Sequence, residues 1–129
     1  MSNSVIKLGI LGLGVMGRNH YRIAALLNDF EVTAVFDPNQ ESLKLIETDR
    51  KVVKTSDIQE VIECCDAVII SAPTEFHLGL IESVSHKIKN ISVEKPMVSS
   101  YKEAVELGRL CEERGIKLQV GFIERFNPA

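Results

Sequence analysis

The chain has 129 residues, 45% of them apolar and 26% charged, with 15 basic and 18 acidic side chains giving a formal net charge of −3. That composition suits one globular domain with a single core, and a net negative charge with scattered lysines and arginines excludes a phosphate-backbone surface. The longest apolar runs, at residues 8–17 and 67–72, fall well short of the ~20 residues that a membrane span requires. No nucleic acid or membrane is therefore expected as a partner. No basic region precedes the first apolar stretch, so it does not read as a cleaved signal. Cys64, Cys65 and Cys111 lack metal-ligand spacing, and they read as free thiols of a reducing cytoplasm, with Cys111 facing a core and no metal bound.

Residues 5–11 form the first expected strand, apolar nearly throughout, as in a strand covered on both faces. A glycine-rich turn follows, then a helix to about residue 27 whose buried stripe is Met16, Ile23 and Leu27, with Arg18, Asn19 and Arg22 outward. The second strand, 31–36, ends at Asp37-Pro38-Asn39, where proline starts a short helix through Leu43 and Ile46. Val52 and Val53 make a brief third strand. Ser56 and Gln59 form a capping box ahead of Ile58, Val61 and Ile62.

The fourth strand, 66–71, carries a continuous apolar run typical of the centre of a parallel sheet. Ala72-Pro73-Thr74 breaks it, and Leu78, Ile81, Val84 and Ile88 then recur at helical spacing in a helix that Thr74 could cap. A fifth strand at 91–93 ends at Glu94-Lys95-Pro96. Ser100 and Glu103 form a second capping box, and the next helix turns Ala104, Leu107, Gly108 and Cys111 inward until Gly115 closes it. A sixth strand, 116–120, points Lys117 and Gln119 outward near a sheet edge. Strands alternating with helices through short loops give an α/β fold, a doubly wound parallel sheet. Residues 1–120 are expected to form this domain, with 121–129 leading out of it.

The glycine-rich turn is the chemical centre of this pattern. Gly12-x-Gly14-x-x-Gly17 after a strand and before a helix is the dinucleotide fingerprint: a tight turn, close backbone approach to a pyrophosphate, and close helix packing. The first helical N–H groups, around Val15 and Met16, lack intrahelical acceptors and favour an anion. Asp37 stands twenty residues after Gly17, where the fingerprint expects a ribose-binding acid. A carboxylate there favours NAD over NADP by repelling a 2′-phosphate, and Pro38 rather than an arginine follows it. In a doubly wound sheet ligands lie outside the carboxyl ends of the strands. The turn, Asp37, residues 73–77 and residues 94–96 all fall at that edge.

Four motifs in order, Gly12 to Gly17, Ala72-Pro73-Thr74-Glu75-Phe76-His77, Glu94-Lys95-Pro96 and Gly121-Phe122-Ile123-Glu124-Arg125-Phe126-Asn127-Pro128, resemble the N-terminal half of the glucose-fructose oxidoreductase and inositol dehydrogenase family (Gfo/Idh/MocA). The last is most similar to members that oxidise nucleotide-linked amino sugars. The resemblance covers essentially the whole chain. It implies a Rossmann domain transferring hydride between a sugar or polyol carbinol carbon and the nicotinamide of NAD(P).

By that resemblance Lys95 is the catalytic residue, moving the hydroxyl proton beside the nicotinamide, while Glu94 bonds cofactor or orients the lysine. Ala72, Pro73 and Thr74 would pack along the cofactor, His77 would point toward the ribose or substrate, and Arg125 would meet cofactor or substrate near the domain junction. His20 and His86 are read as structural. The family's second domain, which supplies a substrate wall and often the contacts of a homo-oligomer, is absent from these 129 residues. The chain alone is therefore expected to bind NAD(H) and turn over little or no sugar. Two alternatives stand beside this reading: a non-catalytic NAD-binding or sensing module completed by a partner chain, and a different Rossmann enzyme, which gives no reason for Glu94-Lys95-Pro96.

Overall fold

The computed structural model describes residues 5–121. Six parallel strands lie in the order β3-β2-β1-β4-β5-β6, so the chain starts in the middle, winds to one edge and then crosses back to build the other half. The strands are β1 (Ile6–Leu11), β2 (Phe30–Phe36), β3 (Val53–Thr55), β4 (Ala67–Ile70), β5 (Asn90–Val93) and β6 (Lys117–Val120). Between them run α1 (Val15–Ala25), α2 (Gln40–Leu45), α3 (Ile58–Cys64), α4 (His77–Val84) and α5 (Tyr101–Arg114), with a 3-10 turn at Thr74–Phe76 leading into α4. The reversal in strand order falls between β1 and β4. This is the sheet that the strand and helix patterns predict.

Successive residues of β1 and β4 are buried because both faces are covered. Leu11, Val68, Ile70, Ile91 and Val93 pack with Val61 of α3, Leu78 and Ile81 of α4, and Leu107 and Leu110 of α5. On the opposite face Leu8 and Ile69 meet Ala24 of α1, while Ile10 and Val35 meet Leu43 and Ile46. The two layers hold the carboxyl ends of β1, β2, β4 and β5 at one edge.

Several local expectations change. The face that α1 buries is Gly17, His20 and Ala24, and Met16 is exposed, while Ile23 and Leu27 are only half-buried. The cause is a close approach: a Cβ on Gly17 would lie 1.8 Å from the Gly12 carbonyl oxygen, so the face centred on the glycine turns to the sheet. Asp57, not Ser56, caps α3, its side chain accepting from the Gln59 N–H at 2.9 Å. Thr74 makes no side-chain cap, because the chain enters α4 through the 3-10 turn. Ser100 does cap α5, and Glu103 returns to the Ser99 N–H. Gly115 ends α5 at φ 67°, the left-handed conformation that favours glycine.

The α5 side chains that reach the core are Leu107 and Leu110, whereas Ala104 and Cys111 are half-buried and Gly108 is exposed. Lys117 is exposed as an edge-strand residue, but Gln119 is half-buried. The three cysteines are free thiols, and the described residues contain no cluster of three metal-ligating side chains. No described helix is long and apolar enough to cross a membrane.

Burial pushes the Cys65 thiol up to about 12 from an ordinary 9.0. The unfolded chain therefore loses this proton at a lower pH than the folded chain does. The contribution is present below the unfolded value and is lost as pH rises from about 9 toward about 12. Cys65→Ala is expected to flatten the fall of melting temperature with pH across that window, and an unchanged slope contradicts the assignment.

Candidate functional site

The carboxyl ends of β2, β1, β4 and β5 follow one another along one edge of the sheet, as neighbouring strands spaced about 4.8 Å apart, and bring their loops together there. The first three enclose a cleft of about 980 Å³ lined by Gly12, Gly14, Val15, Met16, Asp37 and Pro73, together with residues of the entry to α4. Its floor is the glycine turn.

The three glycines of that turn differ in what surrounds them. Gly12 has φ +99°, and a Cβ there would lie 2.5 Å from the Ala72 nitrogen. Gly17 is pressed on the Gly12 carbonyl, as described. Around Gly14 a Cβ would meet nothing within 4 Å, and its φ of −72° is open to any residue. Fold packing therefore explains two of the glycines, and the third keeps open space at the mouth of the cleft. Gly14 is also the N-cap of α1, supplies no capping side chain, and precedes a first turn without an acidic residue. The exposed N–H groups and the positive end of the helix dipole are left for an anion.

Asp37 closes one end of the cleft. One carboxylate oxygen accepts the Leu13 N–H at 2.8 Å and the other accepts the Asn39 N–H at 2.8 Å, so the acid fixes the glycine turn to the end of β2. Each oxygen has a second lone pair for a further donor. Asn39 in turn caps α2 by accepting from the Glu41 N–H.

Beyond the turn, Ser71 follows β4 and lines the cleft, with its Oγ buried and without a hydrogen-bond partner. A serine ending an apolar run gave little signal in the sequence. Ala72 and Pro73 also line the cleft, but Thr74 does not.

His77 departs from the expectation that it points to ribose or substrate. Its side chain is 1% exposed. Nδ1 lies 2.9 Å from the Met97 carbonyl oxygen and Nε2 lies 2.7 Å from that of Ala72. The ring nitrogens are thus turned into the protein, tying the loop after β4 to the segment after β5.

On the β5 loop Glu94 is half-buried, Lys95 is exposed, and the Lys95–Pro96 peptide is cis. Neither Glu94 nor Lys95 lines the cleft of the glycine turn; they stand one strand further along the same edge. His20, read as structural, is fully buried and lies 2.5 Å from the Glu94 carboxylate through Nε2. Arg125 and the expected junction at 121–129 fall outside the described residues, apart from Gly121.

The donor set fits a dinucleotide: N–H groups for a diphosphate, open space at Gly14, a carboxylate for ribose hydroxyls, and an orphaned hydroxyl further along. Comparison with known proteins agrees. Residues 6–122 match the model of the Gfo/Idh/MocA family, described as an oxidoreductase family with an NAD-binding Rossmann fold. Over 128 residues the chain is 33% identical to scyllo-inositol 2-dehydrogenase (NAD(+)) of Bacillus subtilis, covering 96% of this chain and 37% of that protein. It is 27% identical over 124 residues to UDP-N-acetylglucosamine 3-dehydrogenase of Acidithiobacillus ferrooxidans, covering 96% and 39%.

Among solved structures, scyllo-inositol dehydrogenase from Lactobacillus casei with bound cofactor NAD(H) and scyllo-inositol superposes with a TM-score of 0.83 at 28% identity, over 97% of this chain and 38% of that one. The chain thus spans less than two-fifths of the length of these relatives.

Proposed function

Because this chain belongs to the Gfo/Idh/MocA family of oxidoreductases, whose NAD-binding Rossmann fold it matches over residues 6–122, we propose that it is the cofactor-holding part of an enzyme that moves hydride between a sugar or polyol carbinol carbon and NAD. The observation that carries this reading is Gly14, a glycine that the fold does not require, facing a cleft bounded by unpaired helix N–H groups and Asp37.

Bound NAD supplies a nicotinamide ring that accepts or returns hydride. The protein's part is to hold and orient. Val15 and Met16 present the N–H groups of the first α1 turn to the diphosphate. Asp37 accepts the adenosine ribose hydroxyls on the lone pairs left by Leu13 and Asn39, and Ala72 with Pro73 flanks the dinucleotide where it crosses β4. Lys95, one strand further along the same edge, would face the nicotinamide end, where its side chain would take up or return the proton of the substrate hydroxyl. Arg125 is assigned to the same end.

The relatives named above are more than twice as long as this chain, and residues outside it are assigned the substrate wall. The chain alone then binds cofactor and turns over little or no sugar. Nucleotide-linked amino sugars are the narrower substrate class, supported by the likeness of the 121–128 motif and the match to the UDP-sugar enzyme.

Titration with NAD+ and NADH is expected to raise the melting temperature, by the equivalent of about 2.7 kcal/mol at a hundredfold excess over Kd. A folded chain whose melting point ignores both ligands refutes the reading. In the longer protein, Lys95→Ala is expected to lower turnover by about 100-fold or more while changing NADH affinity less than threefold. Retained turnover removes Lys95 from the chemistry.

A further inference from the structure

One buried polar contact at the carboxyl edge of the sheet joins two segments 74 residues apart. His20 lies on the buried face of α1, one turn after Gly17, and is 0% exposed. Its Nε2 stands 2.5 Å from Oε2 of Glu94, whose side chain is 23% exposed. A carboxylate oxygen only accepts, so Nε2 carries the hydrogen and donates. The close approach of Gly17 to the Gly12 carbonyl sets α1 low over the sheet, which brings the next turn within reach of the end of β5. The Glu94 N–H meanwhile donates to the Ile70 carbonyl at 3.2 Å, which continues the β4–β5 ladder. Glu94 is therefore held by its backbone from β4 and by its side chain from α1, immediately before Lys95.

We infer that His20 is a positioning residue: its bond to Glu94 couples the helix that follows the glycine turn to the loop bearing Lys95, and so sets that loop against the nicotinamide end of the cofactor. This inference rests on the cofactor reading above. A ring buried on the sheet-facing side of α1 is shielded from the cleft, and its contact with Glu94 is the link by which it reaches the Lys95 loop. A hydrogen bond to a charged group inside a protein is among the stronger ones and holds a direction, so its loss loosens the loop.

The probes are NADH and ADP-ribose, which lacks the nicotinamide ring. Their affinities are measured by calorimetry on the 129-residue chain, with melting temperature in parallel. His20→Leu is expected to weaken NADH about tenfold and ADP-ribose less than twofold. Glu94→Ala does the same, and the double variant is no weaker than either single one. His20→Gln, whose side-chain amide keeps a donor near the Nε2 position, recovers most of the NADH affinity.

If His20→Leu does not fold, Glu94→Ala, altered at a partly exposed side chain, decides alone. Equal weakening of both ligands in step with the melting temperature makes His20 merely structural and overturns the inference, as does no change in either. Wild-type chain that binds both ligands equally also overturns it, while leaving dinucleotide binding intact. Wild-type chain that binds neither ligand removes the cofactor reading itself, and the inference with it.

Discussion

Gly14→Val is expected to abolish measurable NAD(H) binding and leave the chain folded, whereas Gly17→Ala is expected to lower the melting temperature. The two glycines sit three residues apart in one motif, and the structure separates their duties. At Gly14 the backbone is extended, with φ −72° and ψ −165°, and a Cβ would meet no protein atom within 4 Å. The first side-chain carbon there meets nothing in the fold, and stability should change by no more than about 1 kcal/mol. Its two methyl groups fill the space through which a diphosphate reaches the α1 N–H groups, so affinity should fall by about 100-fold or more.

At Gly17 the added carbon would stand 1.8 Å from the Gly12 oxygen, and that neighbour is backbone in a tight turn with little freedom to shift. Overpacking of this kind costs about 3 kcal/mol, a fall of roughly 10 °C for a chain of this size. Calorimetry of the two variants with and without NADH reads both effects. If Gly14→Val binds NADH like the wild type, the open space at Gly14 does not face the cofactor.

That contrast also marks how far the sequence could be read. Strands β1 and β4 were legible because continuous apolar runs bounded by turn residues are local signals, and the glycine spacing placed the turn between β1 and α1. The buried face of α1 was not. Hydrophobicity pointed to Met16, but the missing side chain of Gly17 decides how the helix lies, and it turns His20 to the sheet.

The partner of Glu94 escaped for another reason: His20 lies 74 residues away, and no periodicity reports a contact between α1 and the end of β5. His77 was expected to face the ribose or substrate, but its placement against the carbonyls of Ala72 and Met97 depends on how two loops meet, which no local pattern reports. Ser71 gave no sequence signal because its interest lies in an unpaired hydroxyl, which only the packing around it reveals.

We propose that Asp37 controls the choice between NAD and NADP, and the wild-type chain is expected to bind NAD+ at least about 100-fold more tightly than NADP+. At about 4 Å and an effective dielectric near 20, each unit of 2′-phosphate charge meets up to about 4 kcal/mol of repulsion from this carboxylate. Salt screening reduces the figure, and about two orders of magnitude in affinity remain. Relief would have to come from a nearby cation. None of the described residues lining the cleft is a lysine or arginine, and Pro38 occupies the position after the acid.

Asp37→Ser should bring the two affinities within about tenfold of each other, chiefly by weakening NAD+ through loss of the ribose acceptors. The same substitution removes the acceptor of the N–H of Leu13, a residue that is 0% exposed, and should lower stability by about 1–3 kcal/mol even without ligand. The paired readout is what makes the assignment specific: a carboxylate that merely pinned the turn would alter the melting temperature and leave the ratio of NAD+ to NADP+ affinities where it was. A wild-type chain that prefers NADP+ overturns the charge argument at once, because no lysine or arginine is among the described residues lining the cleft beside this acid.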